Sequence, residues 1–384
     1  MDLVVLSEVK WNYMRTRKRF LISQFPRDWR VIFFEPVSST VGNNFRPRRD
    51  GNVLYLSTPV LKPRTESPLY NEMIRRRWVR NLLGSLAAAW VRVAMLLLRV
   101  RSDATVLISN IYFTPVVEGL TASFVCYDCN DDPTVFPGVP EWSRECFLRL
   151  LRRADVVVAC SDGLAARVSA ASGKQAVVIG NGVDYELFSR EVAPSEIPAD
   201  VGRLERPVVG YTGAIKEWFD FSLVAETAAA APEASLALIG PVAPGVTSEA
   251  DELASRLPNV HFLGEKPYES LPLYLAAMSV CLIPFKQEPL TSVLNPNKLY
   301  EYFAAGKTVV SLDYSADVAR QESLMYLVRD KARFAETVRV ALGRRIDPAA
   351  LREAARRNSW ASKSREMAAL LERGGSRAPA GRGS

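Results

Sequence analysis

NPNKLYEYFAAGKTVV, residues 295–310, holds a helix, its stop and the start of a strand in one short run. Asn295 suits an N-cap and Pro296 the first helical position, and Leu299, Tyr302 and Phe303 recur at helical spacing before Gly306 ends the pattern. The chain then turns β-branched at Thr308-Val-Val and runs on through Ser-Leu-Asp. A helix handing over to an apolar strand is one step of an alternating α/β chain. Lys298 resists the local rules. It stands in the first turn, where a cation opposes the helix dipole, and Glu301 follows three residues later in the less favourable order for such a pair. A solvated surface pair explains this arrangement, and so does an anionic ligand that holds the lysine in place.

The same alternation extends in both directions. Upstream lie the strand patterns LVVLS (3–7), VIFFE (31–35), VLYLS (53–57), TVLIS (105–109), FVCYD (124–128), VVVAC (156–160) and AVVIG (176–180). Near-continuous apolar strands separated by helical stretches call for parallel sheet covered on both faces. Residues 189–207 carry three prolines and mixed charge and read as a linker. Beyond it PVVGYTG, SLALIG, NVHFLG, VCLIPF and TVVSLD alternate with helices near 220–231, 268–278 and 295–305. The expected architecture is α/β: two Rossmann-like, doubly wound parallel-sheet domains, 1–188 and 208–372, facing each other across a cleft, with a disordered tail at 373–384. Open α/β sheets bind ligands at the carboxyl ends of their strands, so chemistry is expected along those edges.

The totals agree with two cores, because 384 residues at 48% hydrophobic content exceed what one domain usually holds. Formal net charge is +7. Its basic clusters at 15–19, 46–49 and 75–80 suit phosphates, anionic membranes or nucleic acid. No nucleic-acid module or interleaved aromatic platform accompanies them, so nucleic acid is not an expected partner. The five cysteines sit mostly in apolar runs and read as buried thiols of a reducing compartment. Cys126-x-x-Cys129 has no second such pair, and the chain has one histidine, His261, inside a strand pattern, so zinc is not expected. No signal-like segment precedes the first strand, which points to the cytoplasm. NLLGSLAAAWVRVAMLLL (81–98) is interrupted by Arg92 and reads as a long, mostly buried helix rather than a span. Its basic start, Arg75–Arg80, also suits the surface of an anionic leaflet, which would make the protein peripheral on a membrane.

The second half contains PVVGYTGAIKEWFDF (207–221), a strand, a glycine turn and a helix start with Asp220 as cap. Gly213 has no side chain, so a phosphate can approach its main chain near a helix N-terminus; a purely structural turn explains it equally. Gly213 and Lys298 both fall at carboxyl ends of strands in the same half. A diphosphate between them would account for the lysine, and Glu301, one turn deeper, would then accept hydrogen bonds from two sugar hydroxyls such as those of a ribose.

With these residues in place the chain resembles the GT-B-fold glycosyltransferases of family 4, of the kind that assembles bacterial cell-surface polysaccharides. The resemblance spans about residues 1–370. It rests on ADVVVACSDGLAARV, then VVIGNGVDYELF with Asn181-Gly-Val-Asp184 and Phe188, then GYTGAI, NVHFLGEKPYESLPLYLAAMSVCLIPF and NKLYEYFAAGKTVV in the family order. It implies transfer of a sugar from a UDP- or GDP-sugar to a hydroxyl of a saccharide, lipid-linked, with no cofactor and with retention favoured over inversion. Glu301 matches the ribose-binding glutamate, Leu299 and Glu288 join the donor contacts, and Lys298, helped by Lys216, must neutralise the diphosphate because Ala214 and Asp220 replace the family's Arg and Lys. On the acceptor side Asp128, Asp131 and Asp132 stand where relatives keep a histidine and are candidate catalytic carboxylates. A metal site or a solvated acidic loop are the competing readings of these three, and no metal is expected in this fold. Trp11 and Arg17 replace the usual glycine-rich first loop and are candidates to stack on a sugar and bind an acceptor phosphate, although an amphipathic helix explains Arg17 as well. Two other functions share the fold: epimerisation of a UDP-sugar, and a non-catalytic, membrane-associated scaffold that binds nucleotide-sugar.

Overall fold

The computed structural model describes residues 1–12, 16–38, 42–59, 67–133, 139–295 and 297–376. Arg15, Pro296 and the tail beyond Ser376, which figure in the expectations above, lie outside these residues. The chain forms two compact units, Met1–Gly180 joined by the chain from Lys363 onward, and Asn181–Ser362.

In the first unit the described strands are β1 (Asp2–Leu6), β2 (Arg30–Pro36), β3 (Arg48–Asp50), β4 (Val53–Thr58), β5 (Thr105–Ile108), β6 (Phe124–Cys129), β7 (Val156–Ala159) and β8 (Val177–Val178). They pair in the order β3-β4-β2-β1-β5-β6-β7-β8. Every pairing is parallel except β3 with β4. All seven apolar runs of the first half fall on strands, because a parallel sheet covered on both faces demands continuous apolarity: β5 and β6 are buried at every residue. The edge strand β3 is Arg-Arg-Asp, fully exposed, and has no apolar signal to announce it.

The second unit holds β9 (Val208–Thr212), β10 (Ser235–Ile239), β11 (Val260–Gly264), β12 (Val280–Ile283), β13 (Thr308–Leu312) and β14 (Tyr326–Val328). Their order is β11-β10-β9-β12-β13-β14, all parallel. Successive strands step outward from β9 to β11 and then, starting again beside β9, outward from β12 to β14. The order therefore reverses between β9 and β12, and the chain segments leaving these two strands diverge to open a crevice at their carboxyl ends.

The domain limits differ from the expected ones. Residues 189–207 are not a free linker: Pro194–Glu196 and Ala199–Gly202 form short helical turns, Val201 is fully buried, and Ile197 and Leu204 pack on the core of the second unit. Prolines here open turns instead of breaking contacts. The boundary lies at Gly180, eight residues before the expected one, and the helix Trp360–Ser376 carries the chain back into the first unit. Ser364 Oγ donates to the Leu21 carbonyl at 2.8 Å. Gly374 faces the Phe124 ring so closely that a Cβ there would sit 2.3 Å from it. Residues 373–376, expected as tail, are thus helical. The helix Arg77–Leu97 buries only one face, through Val79, Gly84, Ala87, Ala88, Val91, Ala94 and Met95.

Candidate functional site

The crevice between β9 and β12 contains a cavity of about 360 Å3, lined wholly by residues of the second unit. That volume is within the range of small-molecule sites, about 300–1,000 Å3. Local pairing shapes it. Phe219 and Phe285 form an antiparallel bridge, extended by hydrogen bonds from Asp220 N to Pro284 O and from Lys286 N to Trp218 O, so that Trp218 and Phe285 are presented from two loops to one cavity. At the end of β9 the Thr212 amide donates to the buried hydroxyl of Tyr302 at 2.8 Å, which ties the strand end to the helix Asn297–Ala304. Gly213 follows with φ 134°, open only to glycine. A Cβ on Gly213 would meet Lys298 Cε at 3.0 Å, and a Cβ on Gly240 would meet the Gly213 carbonyl at 2.1 Å.

Lys298 and Glu301 both line this cavity. The ammonium of Lys298 lies 4.7 Å from the centre of the Phe285 ring and 5.3 Å from that of Tyr211, an aromatic box with one side open to the cavity. Burial lowers the Lys298 pKa to about 8, against the charge of Glu301, which raises it. Burial raises the Glu301 pKa to about 7, opposed by Lys298 and by a hydrogen bond with Tyr268. Desolvation has moved each group toward its neutral form, because neither has enough partners in the protein to repay it. Among the described residues lining the cavity, Lys298 is the sole base and Glu301 the sole acid. A ligand bringing an anion to Lys298 and hydroxyl donors to Glu301 would supply what the protein withholds.

Sequence reasoning reached Gly213, Lys298 and Glu301 and missed most of their neighbours. Thr212, Trp218, Tyr268, Leu271, Phe285, Leu294 and Asn297 also line the cavity. Asn181, which opens the NGVD stretch, belongs to it too and donates from its side chain to the Asn295 carbonyl at 2.7 Å. Trp218, five residues past the glycine turn, was the most accessible of these signals. Asn295 does not cap the helix with its side-chain oxygen, which is buried without a partner; its amide donates to Asp317 at 3.1 Å.

Other expected contacts stand elsewhere. Leu299 is a core residue, 1% exposed, and does not reach the cavity. Glu288 is in the loop after β12 but is not part of the lining; its backbone amide and carbonyl close a turn on Thr291 Oγ1. Lys216 is exposed, with its ammonium 5.4 Å from the Trp218 ring centre, and is not part of the lining. The helix Phe221–Ala230 does not offer its N-terminus to an anion, because Asp220 caps Ser222 N and pairs with Lys331 at 2.7 Å. Lys331 and the Ser222 bonds hold the Asp220 carboxyl below its ordinary pKa despite burial.

In the first unit the expected catalytic and acceptor residues do not gather as a site. Arg17 and Asp128 are both buried and bonded to each other, at 3.2 Å from Nη2 to Oδ1, and Arg17 also donates to the carbonyls of Ile179 and Gly180 at 2.7 Å. Trp11 is 2% exposed, packs edge-on to Phe33 and donates from Nε1 to Asp50 at 2.9 Å, so its ring is not available to stack on a sugar. Asp132 pairs with Arg167 at 3.1 Å, while Asp131 is exposed. The three aspartates therefore occupy three environments. Among the described residues no three His, Cys, Asp or Glu side chains converge as metal ligands. Cys126 and Cys129 are buried thiols whose pKa burial drives upward, and on strand β6 a spacing of three turns them to opposite faces.

With the fold and cavity in hand, comparison with known proteins is specific in the second half. Residues 202–344 match the family described as glycosyl transferases group 1. That match lies wholly within the second unit. TuaH of Bacillus subtilis (strain 168), whose name assigns it provisionally to teichuronic acid biosynthesis as a glycosyltransferase, is 34% identical over 182 residues, 47% of this chain. The match spans 45% of TuaH, under half the length of that curated relative. Solved structures agree in fold across the chain, which is GT-B. A trehalose-6-phosphate structure from E. coli bound with UDP-2-fluoro glucose gives a TM-score of 0.72 at 13% identity, covering 97% of this chain and 99% of that one. Sucrose-phosphate synthase from Thermosynechococcus elongatus gives 0.71 at 16% identity, covering 97% and 98%. Anabaena HepE in complex with UDP gives 0.68 at 15% identity, covering 97% and 100%. The cavity of the second unit carries the lysine and glutamate of NKLYEYF, the stretch on which the expectation of a nucleotide-sugar site rested.

Proposed function

We propose that this protein transfers a sugar from a UDP-sugar to a hydroxyl of a lipid-linked saccharide during assembly of a cell-surface polysaccharide. The observation that carries the proposal is the Lys298–Glu301 pair, one turn apart on a helix at the switch point of the sheet, open to a cavity that Gly213, without a side chain, also lines. Lys298 stabilises the diphosphate as charge develops on the leaving group, and Glu301 in its ionised form accepts hydrogen bonds from the ribose. The choice of UDP draws on HepE and the E. coli relative, which are titled with UDP and UDP-2-fluoro glucose, and the polysaccharide setting draws on TuaH.

Retention at the anomeric carbon fits best. An inverting displacement needs a free carboxylate base; of the three candidate aspartates, Asp128 and Asp132 are committed to Arg17 and Arg167, which leaves Asp131 as the one that could serve. The test is to incubate the full chain with a panel of UDP- and GDP-sugars, with and without a membrane extract, and to follow released nucleoside diphosphate. Release from a UDP-sugar that depends on the extract is expected. Conversion of the sugar without extract would identify an epimerase, and binding without release in either arm would identify a scaffold.

A further inference from the structure

The helix Arg77–Leu97 has a second face that the core does not use. Trp78, Leu82, Leu86, Val93, Leu96 and Leu97 are 51–77% exposed. At about 100° per residue they fall, with Ala89, within a sector of about 100°. Leu69 and Met73 of the preceding helix Pro68–Met73 add to the exposed apolar surface, at 72% and 45%. Isolated apolar side chains on a surface need no explanation, but a continuous stripe along a helix of about 30 Å does.

Charge surrounds the stripe. Between Ser67 and Ser102 the chain has seven arginines and one acid, Glu72. Arg75, Arg76 and Arg77 are exposed at the start of the helix, Arg92 flanks the apolar sector, and Arg99 follows its end. Two local acids take up part of this charge: Arg75 pairs with Glu72 and Arg77 with Glu145. The opposite face is fixed to the protein. Val91 is fully buried, a Cβ on Gly84 would lie 2.2 Å from Pro115 Cβ, and the buried Arg80 donates to the Ile74 and Arg75 carbonyls and to Glu145. A helix held this way cannot be surrounded by acyl chains, although its length and composition would allow it to cross a bilayer.

We propose that this face is a monotopic membrane-docking surface: the helix lies in the plane of an anionic leaflet, with Leu82, Leu86, Val93, Leu96 and Leu97 among the upper acyl carbons. Trp78 sits at the headgroup boundary and the arginines on lipid phosphates. The commitment to lipid over protein rests on charge complementarity, since an arginine collar around an apolar stripe matches an anionic headgroup layer over hydrocarbon. The inference stands apart from the UDP-sugar reading, because none of its residues touches the cavity of the second unit.

The test uses the full chain and vesicles of phosphatidylcholine alone or mixed with phosphatidylglycerol, with binding read by sedimentation. Wild type should partition onto the mixed vesicles, and less so as salt rises. Leu82→Glu with Leu86→Glu should lower that partition at least about tenfold, since two leucines that enter the acyl layer are replaced by charges. Arg76→Glu with Arg92→Glu should weaken binding to the mixed vesicles only. These side chains are exposed, so melting temperatures should not move. Brominated phosphatidylglycerol gives a second readout: it should quench a fluorescence component that Trp78→Phe removes. Absence of wild-type binding to either vesicle, or unchanged binding by the leucine double variant, would overturn the proposal. So would a wild-type dimer in ultracentrifugation that the leucine variant converts to monomer, which would give the face to a second copy.

Discussion

The two sheets end at their carboxyl edges in opposite ways. At the switch point of the second unit, between β9 and β12, the protein leaves a cavity and sets into it a lysine and a glutamate that burial pushes toward neutrality. At the switch point of the first unit, between β1 and β5, charge is matched by charge. Lys18 pairs with Glu8, Ser109 Oγ donates to Glu8 at 2.6 Å, and nearby on β6 Asp128 is closed by Arg17. The same topology thus gives one edge that is electrostatically finished and one that is not. Function is sought at the unfinished edge, because buried charge without partners is costly unless a ligand completes it.

The contrast can be broken most severely at Arg17. Arg17→Met leaves Asp128 buried and unpaired, and should cost about 3–5 kcal/mol of stability in a denaturant melt while UDP affinity of the folded protein stays unchanged. A mild melt, or a loss of UDP binding, would show that the first edge is not merely structural. Next in size is Gly213→Ala, which adds a Cβ 3.0 Å from Lys298 Cε at φ 134°; a loss of about 1–3 kcal/mol in stability and about tenfold in UDP affinity is expected.

A pH series sharpens the same point. The free Lys298 amine, its pKa lowered to about 8, is protonated below that value and binds phosphate in that form, and bound phosphate raises its pKa. UDP affinity should therefore fall as pH rises above about 8, by up to about tenfold per unit, and Lys298→Met should abolish this limb. On the acid side Glu301, raised to about 7, becomes protonated and loses acceptor capacity, so uridine affinity should fall below that pH. Calorimetry across pH 6–9 reads both limbs. The smallest effect is assigned to Glu288→Gln, which lies outside the cavity and should change UDP affinity by less than about twofold.

The fold was legible because parallel strands buried on both faces must be apolar throughout. VVVA at β7 and VCLI at β12 carry that demand in their composition, whereas β3, three exposed charged residues, carries none. Residues 189–207 misled for a related reason: proline and charge mark irregular backbone, but only packing shows that Val201 is fully buried. In the site, Lys298 and Glu301 announced themselves by violating the helix dipole and pair-order rules, and Gly213 by its place at a strand end. Trp218 had only its place five residues past the glycine turn to mark it, and Tyr268 and Phe285 obey every local rule and become visible only when the loops meet. Arg17 and Asp128 were both singled out, 111 residues apart, and no spacing could reveal that each is the other's partner.

The central claim, that a diphosphate completes the second edge through Lys298, is tested most directly by titrating UDP and uridine into wild type and Lys298→Met by calorimetry. The account predicts that the variant binds UDP about 10–100-fold more weakly, the worth of a charged hydrogen bond, while uridine affinity stays within about twofold. Equal loss for both ligands, or none for UDP, would contradict it.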